Sequence, residues 1–337
     1  MRAVVYSAPT EFEVTDVPDP MPGPGEVRFR VELAGVCGTD LHVHDGTFFA
    51  EFPLTPGHEP VGVVDAIGEG VEGFELGRRI VATGVGGCGT CENCRRGKRL
   101  LCTSLTALGV TGPGAFAEYM IAPARWCFDA ADLEPEQAVL AEPTACAIHG
   151  VERLALEPGS SALVIGAGPT GLILAQLLAH GNAATVTVAA PSAHKLALAA
   201  RFGADEVVRI GRDGSGYDEL RAIAPNGFDV VVDATGAAAV TQRALGHVRD
   251  GGTLLVYGVT DPTDTVEFSP FDVYRREISI TGSFAQIDSF PAALAALRSG
   301  RVATDGLISH DFGLDEYDRA LATLRDEPTA HKVVIRP

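Results

Sequence analysis

The stretch SALVIGAGPTGLILAQLLAHG, residues 161–181, joins a short apolar run to a glycine-rich turn and then to a run with helical periodicity. It predicts a strand, a tight turn and a helix in immediate succession. Gly166 permits the tight turn, Gly168 lets a ligand approach the backbone, and Gly171 permits close packing of helix on strand. The helix would present its positive end to a pyrophosphate, so we predict dinucleotide binding here. The predicted contacts in the turn are Gly166, Gly168, Pro169, Thr170 and Gly171.

The alternation of strand and helix continues downstream of this turn. Apolar, strand-like runs occur at 184–190, 228–233 and 251–259, and helix-like stretches follow the first two. Strands that alternate with helices form parallel sheets covered on both faces. We therefore predict an α/β fold with a Rossmann-type, doubly wound parallel sheet in residues 147–284. Further cofactor contacts are predicted at Thr235, Gly258 and Ser283.

Residues 1–146 have a different character. Runs such as EVRFRVELAGV (26–36) and EPVGVVDAIGEGVEG (59–73) are β-like and are punctuated by glycine and proline. They predict a mostly antiparallel β domain with long loops. Residues 285–337 contain one helix-like stretch and a strand-like HKVVIRP at the end. We expect this tail to return to the first domain.

The end of the second predicted strand bears on the choice of cofactor. An NAD site places an acidic side chain there to hold the ribose hydroxyls, but this chain has Ala190, and no acidic residue follows until Asp205. Nothing at this position would repel a 2′-phosphate. Donors that could bind one are Ser192, His194 and Lys195, although Lys195 is equally typical of an exposed helix residue. We predict NADP in preference to NAD.

Composition excludes several classes of protein. The 337 residues are 46% hydrophobic and 21% charged, which indicates a folded globular protein of about two domains. With 44 acidic and 26 basic side chains, the net charge of −18 argues against nucleic acid and anionic membranes as partners. We recognise no signal peptide and no apolar run of membrane-spanning length, so we expect a cytoplasmic protein.

Four of the seven cysteines lie in GCGTCENCRRGKRLLC, residues 87–102. Their gaps of two, two and seven residues do not match a bacterial ferredoxin run, and a thioredoxin-like pair needs only two thiols. Four thiolates on a loop with little core suit a closed, structural zinc site at Cys88, Cys91, Cys94 and Cys102. The basic RRGKR segment is interpreted as a solvated face, and the isolated Cys127 and Cys146 as buried apolar residues.

A second group of metal-ligating residue types is dispersed along the chain. GVCGTDLHVHDG (35–46) contains Cys37, Thr39, Asp40, His42 and His44; PLTPGHEPVG (53–62) contains His58 and Glu59; VLAEPTACAIHG (139–150) contains Glu142 and His149. A thiolate, an imidazole and a carboxylate form the incomplete ligand set typical of a catalytic zinc with one open position. Spacing alone is modest support, because each residue could equally be a hydrogen-bonded loop residue.

Taken together, GVCGTDLH, GHE, the four-cysteine segment, GAFAEYMIAP (114–123) and GAGPTG resemble the zinc-dependent medium-chain dehydrogenase/reductase family, in order and over essentially the whole chain. The resemblance implies a GroES-like catalytic domain in 1–146 with a zinc lobe at 86–103. It implies that Cys37, His58 and either Glu59 or Glu142 hold a catalytic zinc, the other glutamate being an alternate or water-mediated ligand. Thr39 and His42 fall at proton-relay positions, and Asp40 at a position that orients a ligand imidazole.

The AEP around Glu142 stands where classical alcohol dehydrogenases have a cysteine ligand, and it resembles the sorbitol and D-arabinitol dehydrogenase branch. The resemblance implies oxidation of a secondary alcohol of a polyol to a ketone, with hydride transfer to NAD(P) in a cleft between the domains. His44 and Phe48 either line the substrate pocket or pack the loop. The family also implies a homo-oligomer, a dimer or tetramer, in which late strands of the nucleotide domain pair.

Other interpretations remain open at this point. The same scaffold supports oxidation of threonine, simple alcohols or amino-cyclitols. A non-enzymatic, NADP-binding sensor and a zinc-free quinone reductase are disfavoured by the retained ligand and relay residues: Cys37, Thr39, His42, His58, Glu59 and Glu142.

Overall fold

The structure, a computed structural model, describes residues 1–154 and 156–337. The chain divides into two compact units. The first comprises Met1–Ala145, Ala285–Ser299 and Thr304–Pro337, and the second comprises Cys146–Phe284 and Gly300–Ala303. Within the described residues, no helix has the length and apolar character needed to span a bilayer.

Short strands and helices make up both units. In chain order, the strands are β1 (Arg2–Ala8), β2 (Glu11–Asp16), β3 (Glu26–Val36), β4 (Glu59–Ile67), β5 (Arg79–Ala82), β6 (Val85–Gly86), β7 (Thr106–Ala107), β8 (Tyr119–Pro123), β9 (Cys127–Asp129), β10 (Ser160–Ile165), β11 (Ala183–Ala190), β12 (Glu206–Arg209), β13 (Phe228–Asp233), β14 (Val248–Val256), β15 (Ser279–Gly282), β16 (Ile308–Gly313) and β17 (Lys332–Arg336). The helices are α1 (Gly38–His44), α2 (Glu92–Arg95), α3 (Pro135–Ala138), α4 (Ala141–Glu152), α5 (Pro169–Ala179), α6 (Ala193–Arg201), α7 (Tyr217–Ile223), α8 (Ala238–Ala244), α9 (Pro270–Arg276), α10 (Phe290–Arg298) and α11 (Tyr317–Asp326). Short 3-10 turns lie at Arg99–Leu101, Ala124–Trp126, Leu245–His247 and Leu314–Glu316.

The first unit is built on a mainly antiparallel sheet in the order β16-β17-β3-β4-β5-β9, with β8 paired to β3. The sequence of β3 explains why it forms a strand with one face in the core. Successive side chains of a strand point to opposite faces, and the alternate residues Val27, Phe29, Val31 and Leu33 are all buried. The core of this unit brings Val27, Phe29 and Val31 together with large aromatic side chains from distant parts of the chain, including Tyr6, Phe116 and Tyr317.

The second unit is built on a parallel sheet in the order β12-β11-β10-β13-β14-β15. Its central strands are apolar and buried throughout, as expected for strands covered on both faces. Strand order reverses beside β10, which leads into α5, and this is where such sheets bind dinucleotides. The predicted fold class, a Rossmann-type sheet with a mostly β GroES-like domain, is confirmed.

Local predictions have different outcomes. The helix-like and strand-like parts of the tail are observed as α10 and β17, but the tail also contains a strand, β16, and a second helix, α11, that the sequence analysis missed. Cys127 is buried in the first unit's core, as expected, but the prediction for Cys146 is wrong, because that residue is only partly buried. It lies on α4 between the buried Ala145 and Ala147, and adjacent residues of a helix point in different directions.

Candidate functional site

The four-cysteine lobe brings its thiols together. The sulfur atoms of Cys88, Cys91, Cys94 and Cys102 all lie within 4.8 Å of one another. Short α2 is capped by Cys91, whose sulfur accepts a hydrogen bond from the Cys94 amide at 3.5 Å, and α2 buries none of its residues. Since the lobe has so little core, the four thiols are the groups that can fix its conformation. The donor set fits a tetrahedral zinc ion held by four thiolates.

Hydrogen bonds favour the ionised, metal-binding form of two of these thiols, Cys88 and Cys91, whereas burial raises the pKa of Cys94 to about 12. The hydroxyl and amide of Thr90 donate to the sulfur of Cys88 and lower the pKa of that thiol to about 5. The amide of Cys94 is the main cause that lowers the pKa of Cys91 to about 7. None of the seven cysteines, all of which lie in the described residues, forms a disulfide bond.

A second group of metal-ligating atoms forms where β3 ends and β4 begins. Cys37 directly follows β3 and caps α1, and His58 directly precedes Glu59, the first residue of β4. Because Gly35 pairs with Glu59 in the antiparallel ladder, these ends are adjacent. One ligand atom from each of Cys37, His58 and Glu59 lies within 4.8 Å of the others.

An unsatisfied polar atom in this group fits a cation. Oε1 of Glu59 is buried without a hydrogen-bond partner among the described residues, whereas Oε2 of Glu59 forms an ion pair with Lys332 and Nδ1 of His58 faces Asp40. Buried polar atoms are normally satisfied, so the lack of a partner at Oε1 calls for an ion or a ligand. Sulfur, nitrogen and oxygen donors together suit Zn²⁺, with a position left for another ligand.

Asp40 lies beneath this group and organises it. One of its oxygens, Oδ2, accepts a hydrogen bond from the Cys37 amide at 2.8 Å, and Oδ1 lies 3.6 Å from Nδ1 of His58. Burial lowers the pKa of His58, but the charges of Asp40 and Cys37 outweigh it and raise that pKa well above its ordinary value. Asp40 therefore sits where it can hold the imidazole by electrostatic attraction.

The structure adds a residue that the sequence analysis missed. Lys332, the first residue of β17, is 3% exposed and its ammonium forms an ion pair with the Glu59 carboxylate. Burial lowers the pKa of Lys332, but Glu59 and then Cys37 raise it above the ordinary value, so the lysine remains charged. No local signal marks this residue, because its position depends on the pairing of β17 with β3.

Gly35 makes room for the Glu59–Lys332 pair. A Cβ atom at this position would lie 1.8 Å from Oε2 of Glu59 and 2.7 Å from Cε of Lys332. Only glycine leaves the space in which the carboxylate and the ammonium meet.

The two glutamates that the sequence left as alternatives lie in different places. Glu59 belongs to the group with Cys37 and His58, whereas Glu142, in the first turn of α4, is outside the same 4.8 Å limit. Glu142 is still close enough for its charge to raise the pKa of Lys332. It therefore neighbours the group without joining it in this structure.

The relay residues have separate partners. Oγ1 of Thr39 lies 3.8 Å from Sγ of Cys37, and Nδ1 of His42 lies 2.9 Å from Oγ1 of Thr47. Thr39 therefore adjoins the ligand group, and His42 has its ring orientation fixed by a neighbouring hydroxyl.

His44 and Phe48 pack the loop. Nδ1 of His44 bonds the buried hydroxyl of Tyr6 at 2.8 Å, and Phe48 stacks on Phe49 with ring centroids 4.3 Å apart. The packing role, one of the two alternatives for these residues, is the one their contacts favour.

The glycine turn has the geometry that its sequence predicts. Gly166 has φ of 111°, which disfavours any side chain. A Cβ at Gly171 would lie 2.0 Å from the Gly166 carbonyl oxygen, whereas one at Gly168 would meet nothing within 4 Å. Gly168 caps α5, with Pro169 and Thr170 opening the helix, so the helix's free amides face open space.

The other predicted cofactor residues lie at the carboxyl ends of neighbouring strands. Gly258 follows β14, where a Cβ would lie 2.1 Å from the Gly236 amide nitrogen. The hydroxyl of Thr235, after β13, donates to Asp233 at 2.6 Å. Ser283, after β15, has a buried hydroxyl without a hydrogen-bond partner among the described residues. These residues border the edge of the sheet where the glycine turn lies.

The predicted 2′-phosphate region has no acidic side chain at the end of β11. Ala190 is the last residue of that strand, and Asp205 is used elsewhere, accepting the Val186 amide at 2.7 Å. Ser192 caps α6 by accepting the Lys195 amide at 3.4 Å. Burial lowers the pKa of Lys195. Ser192 thus has a structural role in addition to the predicted contact with phosphate.

Comparison with known proteins agrees with this geometry. Residues 23–132 match the model of the alcohol dehydrogenase GroES-like domain, and residues 169–299 match that of zinc-binding dehydrogenases. D-arabinitol dehydrogenase 1 of Uromyces fabae is 42% identical, covering 100% of this chain and 97% of the relative. D-altritol 5-dehydrogenase of Agrobacterium fabrum is 36% identical, covering 96% of this chain and 94% of the relative. The solved structure of a zinc-binding dehydrogenase of Sinorhizobium meliloti 1021 bound to NADP matches this chain with a TM-score of 0.93 at 32% identity. The match covers 100% of this chain and 99% of that one.

The chain belongs to the zinc-dependent medium-chain dehydrogenase/reductase family, within its polyol dehydrogenase branch. It is an oxidoreductase that uses Zn²⁺ and NAD(P), so the resemblance seen in its motifs is confirmed.

Proposed function

We propose that this enzyme oxidises a secondary alcohol of an arabinitol- or sorbitol-like polyol to a ketose, with NADP⁺ favoured over NAD⁺ as hydride acceptor. The observation that carries the proposal is the group of Cys37, His58 and Glu59, whose sulfur, nitrogen and oxygen ligand atoms lie within 4.8 Å of one another. Similarity to D-arabinitol and D-altritol dehydrogenases over nearly the whole chain supports a polyol substrate.

The ligand group supplies the metal chemistry. Cys37, His58 and Glu59 would hold the catalytic zinc, and Cys88, Cys91, Cys94 and Cys102 the structural one. Zinc, when bound, lowers the pKa of a hydroxyl that it coordinates. Asp40 keeps His58 in position, and Lys332 keeps the Glu59 carboxylate in its buried place.

Thr39 and His42 are the side chains proposed to take part in removing the hydroxyl proton. The contact of Oγ1 of Thr39 with Sγ of Cys37 at 3.8 Å supports Thr39 as the residue nearest the reacting hydroxyl. His42 has Nδ1 engaged by Thr47, which leaves Nε2 to pass the proton on toward solvent. Such relays contribute by placing acceptors within hydrogen-bond reach of the reacting group.

Cofactor selection rests on the end of β11. With Ala190 in place of a carboxylate, no charge there opposes a 2′-phosphate, and Ser192 and Lys195 lie just beyond it. The glycine turn of Gly166, Gly168 and Gly171 would hold the pyrophosphate at the start of α5.

One kinetic comparison tests the proposal. Turnover is measured with NADP⁺ and with NAD⁺ on a panel of pentitols, hexitols, threonine, simple secondary alcohols and amino-cyclitols, with zinc stoichiometry determined on the same sample. We expect the highest kcat/KM for a polyol with NADP⁺. A higher value for threonine, a simple alcohol or an amino-cyclitol would replace the polyol assignment, and zinc-loaded protein without turnover would indicate a sensor.

We also propose a homo-oligomer that assembles through β15 in a reducing, cytoplasmic setting. β15 is at the edge of its sheet and carries the exposed Ile280, and the segment that precedes it in the chain has further exposed apolar side chains at Phe268, Phe271 and Tyr274. An open sheet edge beside apolar surface is a site for strand pairing. Light scattering of the wild type and of Ile280→Lys tests this, since a charge at the edge is expected to shift the oligomer toward monomer. An unchanged mass would contradict assembly through β15.

A further inference from the structure

The second unit has a polar cavity at the amino-terminal edge of its sheet. Its volume is about 410 Å³, and its lining comes from the end of α7, the loop into β13, the start of β14 and the end of α9. The cofactor turn lies at the opposite, carboxyl-terminal edge. β13 alone, six residues long, separates the two edges by roughly 20 Å. The cavity is therefore separate from the dinucleotide site.

Three arginines, Arg221, Arg249 and Arg276, line this cavity. Each has one carboxylate partner at 2.7 or 2.8 Å: Asp218 for Arg221, Asp229 for Arg249 and Asp250 for Arg276. These ion pairs use Nη1 of Arg221, Nη1 of Arg249 and Nε of Arg276, and Nη2 of Arg276 also donates to the Val248 carbonyl oxygen. A guanidinium has five N–H donors, so each arginine keeps donors for a further anion.

The helices and the strand that carry these arginines do not by themselves explain why all three line one cavity. Arg221 and Arg276 lie in the last turns of short helices, where cations balance exposed carbonyl groups. That reason does not apply to Arg249, which lies on β14, and it does not require the three side chains to share one cavity.

His247 forms a buried part of the cavity lining. This histidine is 3% exposed and packs on Tyr217 with ring centroids 5.5 Å apart. Burial lowers its pKa, the charge of Arg221 lowers it further and the charge of Asp218 raises it. The cationic groups that an anion would meet here are therefore the three arginines.

We propose that this cavity is a second anion site that binds a small phosphate-bearing ligand, either free phosphate or a phosphate ester. Guanidinium forks match the oxygen spacing of phosphate, and several together form the charge-assisted hydrogen bonds that such a dianion needs. The amide side chain of Asn226, which also lines the cavity, offers a further donor. The volume falls within the range of small-molecule sites, about 300–1,000 Å³.

Calorimetry on the full-length, zinc-loaded protein tests this inference. NADP⁺ is kept saturating so that the cofactor's own phosphate positions are filled, and ionic strength is matched with sodium chloride. Inorganic phosphate and glycerol 3-phosphate are titrated separately. We expect saturable binding of at least one, with Arg249→Gln and Arg221→Gln each weakening it about tenfold or more, because each loses a charge-assisted hydrogen bond.

Arg201→Gln is the matched control, because it removes the same charge from α6, away from the cavity. It is expected to bind like the wild type. The side chain of Arg221 is 63% exposed, so its variant tests the site even if Arg249→Gln fails to fold. Tighter binding of glycerol 3-phosphate indicates an ester as the ligand, and equal binding indicates phosphate itself. Heats that do not saturate, or equal binding by all three variants, would overturn the proposal.

Discussion

At the residue scale, the candidate metal centre depends on a few buried charges that satisfy one another. The carboxylate of Asp40 faces the imidazole of His58, and the ammonium of Lys332 pairs with the carboxylate of Glu59. Such partners fix the orientation of metal ligands and are as much a part of a site as the ligands themselves. Breaking a buried ion pair by removing one member leaves the other charge uncompensated, which typically costs about 3–5 kcal/mol.

The first prediction separates the two glutamates. Glu59→Gln is expected to lose one of two zinc equivalents and to be destabilised by about 3–5 kcal/mol, because Lys332 is left buried without its partner. Glu142→Gln is expected to keep both zinc ions. Zinc analysis and denaturant unfolding of both variants provide the measurement. If Glu142→Gln lost the metal while Glu59→Gln kept it, Glu142 would be the ligand.

The second prediction concerns Gly35. Ala at this position would push its Cβ against Glu59 and Lys332, so we expect a loss of about 1–3 kcal/mol in the free energy of unfolding, with weakened zinc binding at Cys37. Gly38→Ala is the matched control: its Cβ would meet nothing within 4 Å, and it lies in α1, where alanine is favoured. Equal stability of the two variants would contradict this account of Gly35.

At the scale of elements, the sequence predicts what is local and misses what depends on long-range pairing. The turn around Gly166 and the alternation of strands and helices are set by short stretches, so they follow from pattern alone. Lys332 could not be found this way, since β17 reaches the centre only through its pairing with β3, about 300 residues earlier. Glu59 and Glu142 could not be ranked for the same reason.

The third prediction is made at the end of β11. Ala190→Asp is expected to raise KM for NADP⁺ at least about tenfold and to favour NAD⁺, because the carboxylate would repel the 2′-phosphate and accept from the ribose hydroxyls. Ala190→Asn, of similar size but uncharged, is expected to change the preference far less. Steady-state kinetics with both cofactors measures the effect. An unchanged ratio of kcat/KM for the two cofactors in Ala190→Asp would show that position 190 does not determine the preference for NADP⁺ over NAD⁺.

At the scale of the whole molecule, the chain places its two metal-ligating groups in the first unit and its glycine turn in the second. On a chain whose net charge is −18, the cavity of the second unit is lined by three arginines. The candidate metal centre draws on residues near positions 37, 58 and 332, so it exists only once the sheet of the first unit is complete. Metal binding at this centre and folding of this unit are therefore coupled.

Zinc stoichiometry tests the central claim most directly. Purified protein, Cys37→Ser and Cys94→Ser are compared by elemental analysis, alongside turnover with the best polyol. We predict two zinc ions per chain in the wild type and one in each variant, with Cys37→Ser inactive although its nucleotide binding is intact. Full zinc content and activity in Cys37→Ser would contradict a catalytic zinc held by Cys37, His58 and Glu59.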